Sequence, residues 1–221
     1  MKHLSSLFFL LALQLSLMAQ DPSAQLTTVE QKLSARGSDI SDILGDRAFM
    51  PLHSLTAFRD IIKKYANAGK VNIVTADEPG TRITVKVQVT DEAGNPQRNM
   101  LVYVYHTSSK GWYSDTAAHV QMNEGDRRHS RLFGYVITND DGRFELATIK
   151  PQGYPQSTLP AHIHIETTTK NGKSLVSELL FDDDPRMVGE TRSRAVNEGF
   201  VISKNTGTGK EPVYSYVVKV N

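Results

Sequence analysis

The chain contains 221 residues and no cysteine, which excludes disulfide bonds, thiolate nucleophiles and cysteine-ligated metal sites. This length is sufficient for one domain with a substantial core and is small for two. The formal charge of +1 gives no electrostatic argument for binding nucleic acid or a membrane surface, so we expect neither as a partner.

The first twenty residues predict a secretory signal peptide. A positive charge at Lys2 precedes the apolar run Leu7 to Leu17, and the small residue Ala19 follows. The run is shorter than the roughly 20 residues that span a bilayer, although an uncleaved anchor is the alternative. We therefore expect an exported protein, periplasmic or extracellular, with no stable membrane insertion after residues 1–20 are removed.

Residues 21–78 predict an N-terminal leader followed by a helix. Residues 21–53 are polar and contain turn signals, which favour a loose leader with room for a short helix. The segment from Ser54 to Ala68 predicts an amphipathic helix, with Gly69 as its C′ residue. Its apolar residues recur at helical spacing: Leu55, Phe58, Ile62 and Tyr65. We expect this helix to pack on the domain; a helix that joins two chains in a homodimer is the alternative.

Residues 79–221 predict a mainly β domain, an antiparallel β-sandwich to which the N-terminal helical segment is attached. Between Ile83 and Val89, apolar residues alternate with polar ones, as expected for a half-buried strand. Further strands are predicted at 100–106, 132–138, 144–149, 175–181, 213–220 and around His162. The first of these is apolar on both faces and is expected to be central. Turn residues separate the strands, as in sandwiches and barrels.

The sequence His162-Ile163-His164 carries the clearest chemical signal. Residues two apart on a strand share a face, so both imidazoles could reach one metal ion while Ile163 points into the core. Tyr113 and Tyr154 complete a candidate donor set of two imidazoles and two phenols. Two phenolates suit a hard trivalent ion such as Fe(III) better than zinc, which usually takes cysteine, histidine and carboxylate ligands.

Four segments between residues 79 and 184 carry further motifs, in this order: Asp91–Pro96, Lys110–Ser114, Thr148–Tyr154 and Pro160–Ile165. Together they resemble the intradiol ring-cleavage dioxygenase family, whose members open catechols with non-haem ferric iron. The resemblance places one tyrosinate ligand at Tyr113 and the other at Tyr154. It places the two histidine ligands at His162 and His164.

This resemblance implies one non-haem Fe(III) ion as cofactor, a catechol-type small molecule and O2 as substrates, and no reductant or organic cofactor. The ring would be cleaved between its two hydroxyl-bearing carbons to give a muconate-type diacid. Tyr154 is implied as the catalytic residue, which gives up its ligand position to the substrate and accepts a substrate proton. Tyr113 and both histidines would remain ligands.

Two expected substrate-binding positions depart from the family pattern. Leu159 stands where the family usually has arginine, and Glu178 stands where it usually has glutamine. Loss of one preorganised charge partner costs on the order of 2–4 kcal/mol, so we expect weaker binding and slower chemistry unless another cation substitutes. The candidates are Arg127, Arg128 and Arg131, although a solvated loop is favoured for this run. The short connection before His162 predicts an open pocket that admits larger or polymer-derived catechols.

Two competing interpretations concern the site. A cupin-like metal centre would need another histidine after His164, and the sequence has none. An exported, non-enzymatic β-sandwich binding module with a vestigial metal site is the main alternative, because fold alone does not define function. Such a module does not need Tyr113 and Tyr154 to meet the histidines. We interpret His106 as a packed residue, or as a group that contacts a ligand, rather than as a ligand itself. We interpret Asp182–Asp184 as a solvated turn rather than a cation site.

Overall fold

The computed structural model describes residues 21–114, 130–169, 172 and 174–220; the predicted signal peptide and the arginines at 127 and 128 lie outside these residues. Helices cover much of the N-terminal segment: α1 (Pro22–Ser34), α2 (Ile40–Leu44), a 3-10 helix (Arg47–Leu52) and α3 (Thr56–Lys64). The expectation of a loose leader at residues 21–53 is therefore wrong.

Side-chain caps and buried apolar residues explain the first two helices. The Asp21 carboxylate accepts a hydrogen bond from the Ser23 backbone N–H at 3.0 Å, with Pro22 at the start of α1. Asp39 and Asp42 form a capping box at α2. Five inward residues are buried: Val29, Leu33, Ile40, Ile43 and Leu44. Burial of each such side chain stabilises the fold by roughly 1.5–3 kcal/mol, which holds these short helices on the domain.

Helix α3 packs on the domain, as the sequence predicts. Phe58 is fully buried and stacks on His53, with 5.0 Å between the ring centroids, and it meets Phe133 edge-on. The helix ends at Lys64 with Tyr65 as its C-cap. Gly69, with a φ of +81°, instead turns the chain between two short strands, so its prediction as a helix C′ residue is wrong.

The described residues form ten strands in two sheets. The strands are β1 (Asn67–Ala68), β2 (Lys70–Asn72), β3 (Arg82–Asp91), β4 (Leu101–His106), β5 (Leu132–Ile137), β6 (Arg143–Ile149), β7 (His162–Thr168), β8 (Ser174–Phe181), β9 (Val201–Ser203) and β10 (Val213–Val220). A further helix, α4 (Gly189–Asn197), connects β8 to β9. The longer strands lie where the sequence predicts them, which confirms the mainly β class.

Both sheets are mixed, so the prediction of an antiparallel sandwich does not hold. One sheet has the order β1-β5-β4-β7-β8-β9, and the other has the order β10-β3-β6-β2. The central pairs are antiparallel, whereas β1 with β5, β2 with β6, β8 with β9 and β10 with β3 are parallel. Parallel pairing needs a long connection between the partners. Helix α4 lies in the connection between β8 and β9, and other strands lie in the connections of the other three pairs.

Strand β7 lies between β4 and β8 and positions the histidine pair. Residues of both sheets and of the N-terminal helices contribute to one hydrophobic core, in which Ile163 and Ile165 of β7 are fully buried. Across β7, His164 is paired with Tyr105 on β4 and with Glu178 on β8. None of the helices among the described residues has the length and apolar character required to cross a membrane.

Candidate metal and substrate site

The two histidines of β7 project from the face opposite the buried isoleucines. Their ring centroids lie 4.7 Å apart, with the ring planes nearly perpendicular. The alternation of side chains along β7 produces this arrangement, because His162 and His164 are separated by one residue. The structure thus brings the two imidazoles together as the sequence predicts.

The two tyrosines reach the histidines from separate loops. Tyr113 follows β4, and Tyr154 lies in the connection between β6 and β7. These loops pass so closely that a Cβ atom at Gly111, which has a φ of +77°, would clash with the carbonyl oxygen of Gly153. The sequence Lys110-Gly111-Trp112 therefore contains glycine where the two tyrosine loops meet.

Three short contacts connect the donor atoms of all four residues. The Tyr113 Oη atom lies 2.6 Å from Tyr154 Oη and 2.8 Å from His164 Nε2. The Tyr154 Oη atom lies 3.1 Å from His162 Nε2. Nitrogen and oxygen ligands bind first-row metals at about 2.0–2.2 Å, so neighbouring ligand atoms on one ion lie at about 3 Å from one another. The four donors are therefore close enough to share a single ion.

The histidine tautomers also fit metal binding. The His162 Nδ1 atom lies 2.9 Å from the carbonyl oxygen of Pro160. A carbonyl oxygen can only accept a hydrogen bond, so Nδ1–H is the donor and the Nε2 atom of the neutral ring carries a lone pair. The His164 ring stacks on Tyr105 with centroids 4.4 Å apart, and burial, followed by the proximity of His162 and His106, lowers its pKa to about 3.

Burial keeps both tyrosines protonated when no cation neutralises them. Burial raises the pKa of Tyr113, and the proximity of Tyr154 raises it further. Burial also raises the pKa of Tyr154, although its hydrogen bond with Tyr113 acts in the opposite direction. Phenolates at these positions would need a nearby positive charge, which a bound metal ion supplies. The hard oxygen donors and neutral imidazoles fit Fe(III).

Glu178 gives a second candidate ligand set. One ligand atom from each of His162, His164 and Glu178 lies within 4.8 Å of the other two, a combination that also occurs in non-haem Fe(II) sites. The Glu178 Oε1 atom, however, lies 3.4 Å from His164 Nδ1, the nitrogen that does not face Tyr113. We favour the set of two tyrosines and two histidines because its contacts are shorter and involve the Nε2 atoms.

Arg186 and Asp184 position the connection that carries Tyr154, and the sequence analysis missed both. The Arg186 Nη1 atom donates to the carbonyl oxygens of Tyr154 at 3.2 Å and Leu159 at 2.9 Å. The buried Asp184 carboxylate accepts from the Ala161 backbone N–H at 3.0 Å and from the Arg186 N–H at 2.7 Å. No sequence pattern indicates the contacts with Tyr154, Leu159 and Ala161, because they join the turn after β8 to the residues before β7.

The acidic run at 182–184 lies in a turn, as the sequence predicts, and Asp183 is exposed while Asp184 is buried. Asp182 pairs with Arg192 at 2.8 Å. Asp183 accepts a hydrogen bond from Tyr214 at 3.0 Å and pairs with Lys150 at 2.7 Å. With Asp184 engaged as described above, all three carboxylates have partners within the protein, and the burial of Asp184 is the part that the sequence did not predict.

His106 is a packed residue, as the sequence analysis proposes. It is fully buried, with its Nδ1 atom 2.7 Å from the Thr107 carbonyl oxygen and its Nε2 atom 2.7 Å from Thr148 Oγ1. Arg131, one of the candidate substitute cations, forms a bidentate pair with Glu78, with both N–O distances at 2.7 Å. Its guanidinium is therefore already engaged in the structure.

A cavity of about 390 Å³ adjoins the donor cluster. Its described lining residues are Tyr154, Leu159, Pro160, His162, Glu178, Leu180, Thr191, Arg194, Ala195, Glu198 and Phe200. Both expected substrate-binding residues belong to this lining, and Leu159 is 40% exposed. The volume lies in the range of small-molecule sites, about 300–1,000 Å³. Tyr154 and His162 contact the cavity, whereas Tyr113 and His164 are not among its lining residues.

The fold and the site define a mainly β protein with a candidate mononuclear metal centre beside a ligand-sized cavity. A family model described as dioxygenase matches residues 61–217. The chain belongs to the intradiol ring-cleavage dioxygenase family.

Two curated relatives agree with this membership. The chain is 35% identical over 124 residues to the protocatechuate 3,4-dioxygenase beta chain of Burkholderia cepacia, covering 52% of this chain and 51% of the relative. It is 28% identical over 140 residues to chlorocatechol 1,2-dioxygenase of Rhodococcus opacus, covering 56% and 52%, respectively. The chain thus spans about half the length of these curated relatives.

One of the solved structures matches this chain over most of its own length. The dioxygenase domain of a dioxygenase carbohydrate-binding protein fusion from the cellulolytic bacterium Streptomyces sp. SirexAA-E superposes with a TM-score of 0.54. The match covers 70% of this chain and 89% of that chain at 22% identity. At this identity the likeness shows the fold alone.

Proposed function

We propose that the protein is an exported non-haem Fe(III) dioxygenase that cleaves a catecholic ring between its two hydroxyl-bearing carbons with O2. The proposal rests on the proximity of two phenol oxygens and two imidazole Nε2 atoms. Three contacts of between 2.6 and 3.1 Å connect these four atoms. Family membership supports the reaction class, and the relatives named for chlorocatechol and protocatechuate support a catecholic substrate.

Tyr113, Tyr154, His162 and His164 would hold the iron. Bound Fe(III) would supply a Lewis acid that keeps the phenol and catechol oxygens anionic and makes the substrate ring reactive toward O2. The Pro160 carbonyl holds the His162 ring with its Nε2 lone pair toward the tyrosines. Tyr105 restrains the His164 ring by stacking.

Tyr154 is the proposed proton acceptor. It lines the cavity, so its Oη atom is accessible to a bound catechol, whereas Tyr113 is 4% exposed and does not line the cavity. With iron bound, the Tyr154 Oη atom would be the group that accepts a proton from a substrate hydroxyl in the cavity. Tyr113, held between Tyr154 and His164, would keep its position.

The proposed reaction balances without another reactant. One carbon–carbon bond breaks, and both atoms of O2 enter the product, which carries two carboxylic acid groups. The substrate supplies the four electrons that reduce O2, so no external reductant is needed. Apolar residues of the cavity, including Leu180 and Phe200, would shield the ring from water.

Colour and oxygen uptake test the proposal together. Tyrosinate bound to Fe(III) absorbs visible light, so the iron-loaded protein should be red-brown, consume one O2 for each catechol and incorporate both labelled oxygen atoms from 18O2. The double variant Tyr113→Phe, Tyr154→Phe should lose the visible absorption. A colourless iron-replete protein, or a double variant that keeps the colour, contradicts the proposal and favours the non-enzymatic binding module.

Export is a separate part of the proposal and rests on the sequence of residues 1–20. The N-terminal sequence of the mature protein, recovered from the periplasmic and extracellular fractions of expressing bacteria, tests it. We expect a new N-terminus near Ala19 or Gln20. An intact Met1 N-terminus, with all of the protein inside the cell, would reject export without affecting the proposed chemistry.

A further inference from the structure

One face of α4 forms part of the cavity wall. Its cavity residues are Thr191, Arg194, Ala195 and Glu198, which follow the i, i+3, i+4, i+7 spacing of a single helical face. Only Ala195 of α4 is buried, so this helix does not serve mainly to complete the core. The α4 face instead meets the same cavity as the candidate ligands Tyr154 and His162.

Arg194 is the only lysine or arginine among the described residues that line the cavity. Its Nε atom lies 4.0 Å from Glu198 Oε1, and the two side chains are 55% and 53% exposed. An exposed i, i+4 pair at this distance contributes only about 0.3–0.5 kcal/mol, so the guanidinium can exchange Glu198 for a better partner at little cost. Glu178, the other carboxylate of the lining, lies beside His164.

Much of the remaining cavity lining is apolar. Leu159, Leu180 and Phe200 line the cavity together with Pro160 and Ala195. An aromatic ring can therefore contact apolar side chains while one end meets the donor cluster. A charged substituent on that ring would find a cation at α4. The volume of about 390 Å³ allows such a substituent.

We infer that Arg194 binds a carboxylate group of the substrate, so the substrates of this site are catechols that carry an acidic side group. The inference rests on the proposed function and deepens it. The planar guanidinium can donate two parallel hydrogen bonds to a carboxylate, which a lysine ammonium cannot do in the same geometry. Arg194 is thus a specificity-determining residue that holds the ring in position, and it takes no part in the chemical step.

Ligand binding to the full-length iron-loaded protein, without O2, tests the inference. Three probes are titrated while the visible absorption and the heat of binding are recorded: catechol, protocatechuate with its carboxylate on the ring, and dihydrocaffeate with its carboxylate on a two-carbon arm. We expect at least one of the carboxylated catechols to bind more tightly than catechol. This preference should weaken as salt concentration rises, because Arg194 is exposed.

Substitutions then test whether Arg194 of α4 causes the preference for carboxylated catechols. Arg194→Gln should reduce the ratio of catechol Kd to carboxylated-catechol Kd by about tenfold, the effect of losing one charge-assisted hydrogen bond. Arg194→Lys should retain part of the ratio. Glu198→Gln should increase it, because a competing carboxylate is removed. Arg98→Gln, which removes an exposed arginine outside the cavity lining, is the matched control and should leave the ratio unchanged.

The possible failures are distinguishable. Equal affinities for all three probes, or an unchanged ratio in Arg194→Gln, overturn the role of Arg194 while the dioxygenase proposal stands. An equal fall in the ratio for Arg98→Gln would show a general charge effect and also overturn it. If catechol itself produces neither a spectral change nor heat, the proposed function fails and this inference fails with it.

Discussion

His164 and Glu178 are paired across β7 and β8, and the His164 Nδ1 and Glu178 Oε1 atoms lie 3.4 Å apart. The Nδ1 atom is buried and has no hydrogen-bond partner among the described residues, whereas the Nε2 atom lies 2.8 Å from Tyr113 Oη. A small movement of Glu178 would let its carboxylate accept the Nδ1–H group. Such a partner fixes the ring orientation and makes the Nε2 atom a stronger ligand.

We expect Glu178→Ala to lower iron affinity about 10–100-fold, the usual effect of removing the outer hydrogen-bond partner of a histidine ligand. Glu178→Gln should lose less, because its amide oxygen can still accept the Nδ1–H group. Competition with a chelator at fixed pH measures both affinities. Glu145→Gln, an exposed carboxylate on β6, is the control. Unchanged affinity in Glu178→Ala would exclude this role for the carboxylate.

Removal of Arg186 should loosen the segment that carries Tyr154. Its two hydrogen bonds to the carbonyls of Tyr154 and Leu159 are charge-assisted, and Arg186 is partly buried, so Arg186→Met should lower the free energy of unfolding by about 2 kcal/mol. Urea denaturation measures the loss. A lysine at this position can reach one carbonyl but cannot hold both in the same geometry. The unfolding free energy of Arg186→Lys should therefore lie between those of the parent chain and Arg186→Met.

A control separates this local effect from general loss of charge. Arg98→Met removes an exposed arginine from the loop between β3 and β4 and should leave the unfolding free energy unchanged. The prediction is wrong if Arg186→Met unfolds at the same urea concentration as the parent chain.

The sequence predicted the β-strands and the histidine pair because both depend on local patterns. Alternation of apolar and polar residues marks β3, and the His-x-His spacing places two imidazoles on one face of β7. The resemblance to a known family added Tyr113 and Tyr154, which no periodicity could have connected to histidines in another segment.

The structure differs from the predictions where long-range contacts decide the outcome. Helix α4 buries only Ala195, so its sequence has no apolar stripe to indicate a helix. Helix α2 has five residues, too few for a periodic pattern to be recognised. The four parallel strand pairs depend on how the connections cross the sheets. Arg194 lines the cavity only because α4 folds back beside β8 and β9.

Acid should destabilise the protein through His53 and His106. Burial lowers the pKa of each to about 4, from 6.5 in the unfolded chain. Between these values the unfolded state binds more protons than the folded state, so the stability falls as the pH decreases from about 7 toward 4. Because of each histidine, the unfolding free energy should be about 2 kcal/mol lower at pH 5 than at pH 7. Urea denaturation at the two pH values measures this difference.

Single replacements identify the source of this dependence. His53→Gln and His106→Gln should each reduce the difference in unfolding free energy between pH 7 and pH 5, whatever their effect on the stability at pH 7. Their contributions should add in the double variant, because the two residues make different hydrogen bonds. An unchanged difference in both single variants would show that other groups cause the acid sensitivity.

Replacement of Tyr113 and replacement of Tyr154 should affect iron binding and turnover differently. Tyr113 is almost fully buried and contacts both Tyr154 and His164, so Tyr113→Phe should mainly weaken iron retention. Tyr154 faces the cavity as the proposed proton acceptor, so Tyr154→Phe should lower kcat by about 10²–10⁴-fold while retaining more of the iron affinity. Chelator competition and oxygen uptake with catechol measure the two effects separately. Tyr65→Phe, at the C-cap of α3 and outside this cavity lining, should leave both unchanged. Equal loss of iron in the two site variants, with equal residual turnover per bound iron, would mean that the tyrosines share one role and that proton transfer occurs elsewhere.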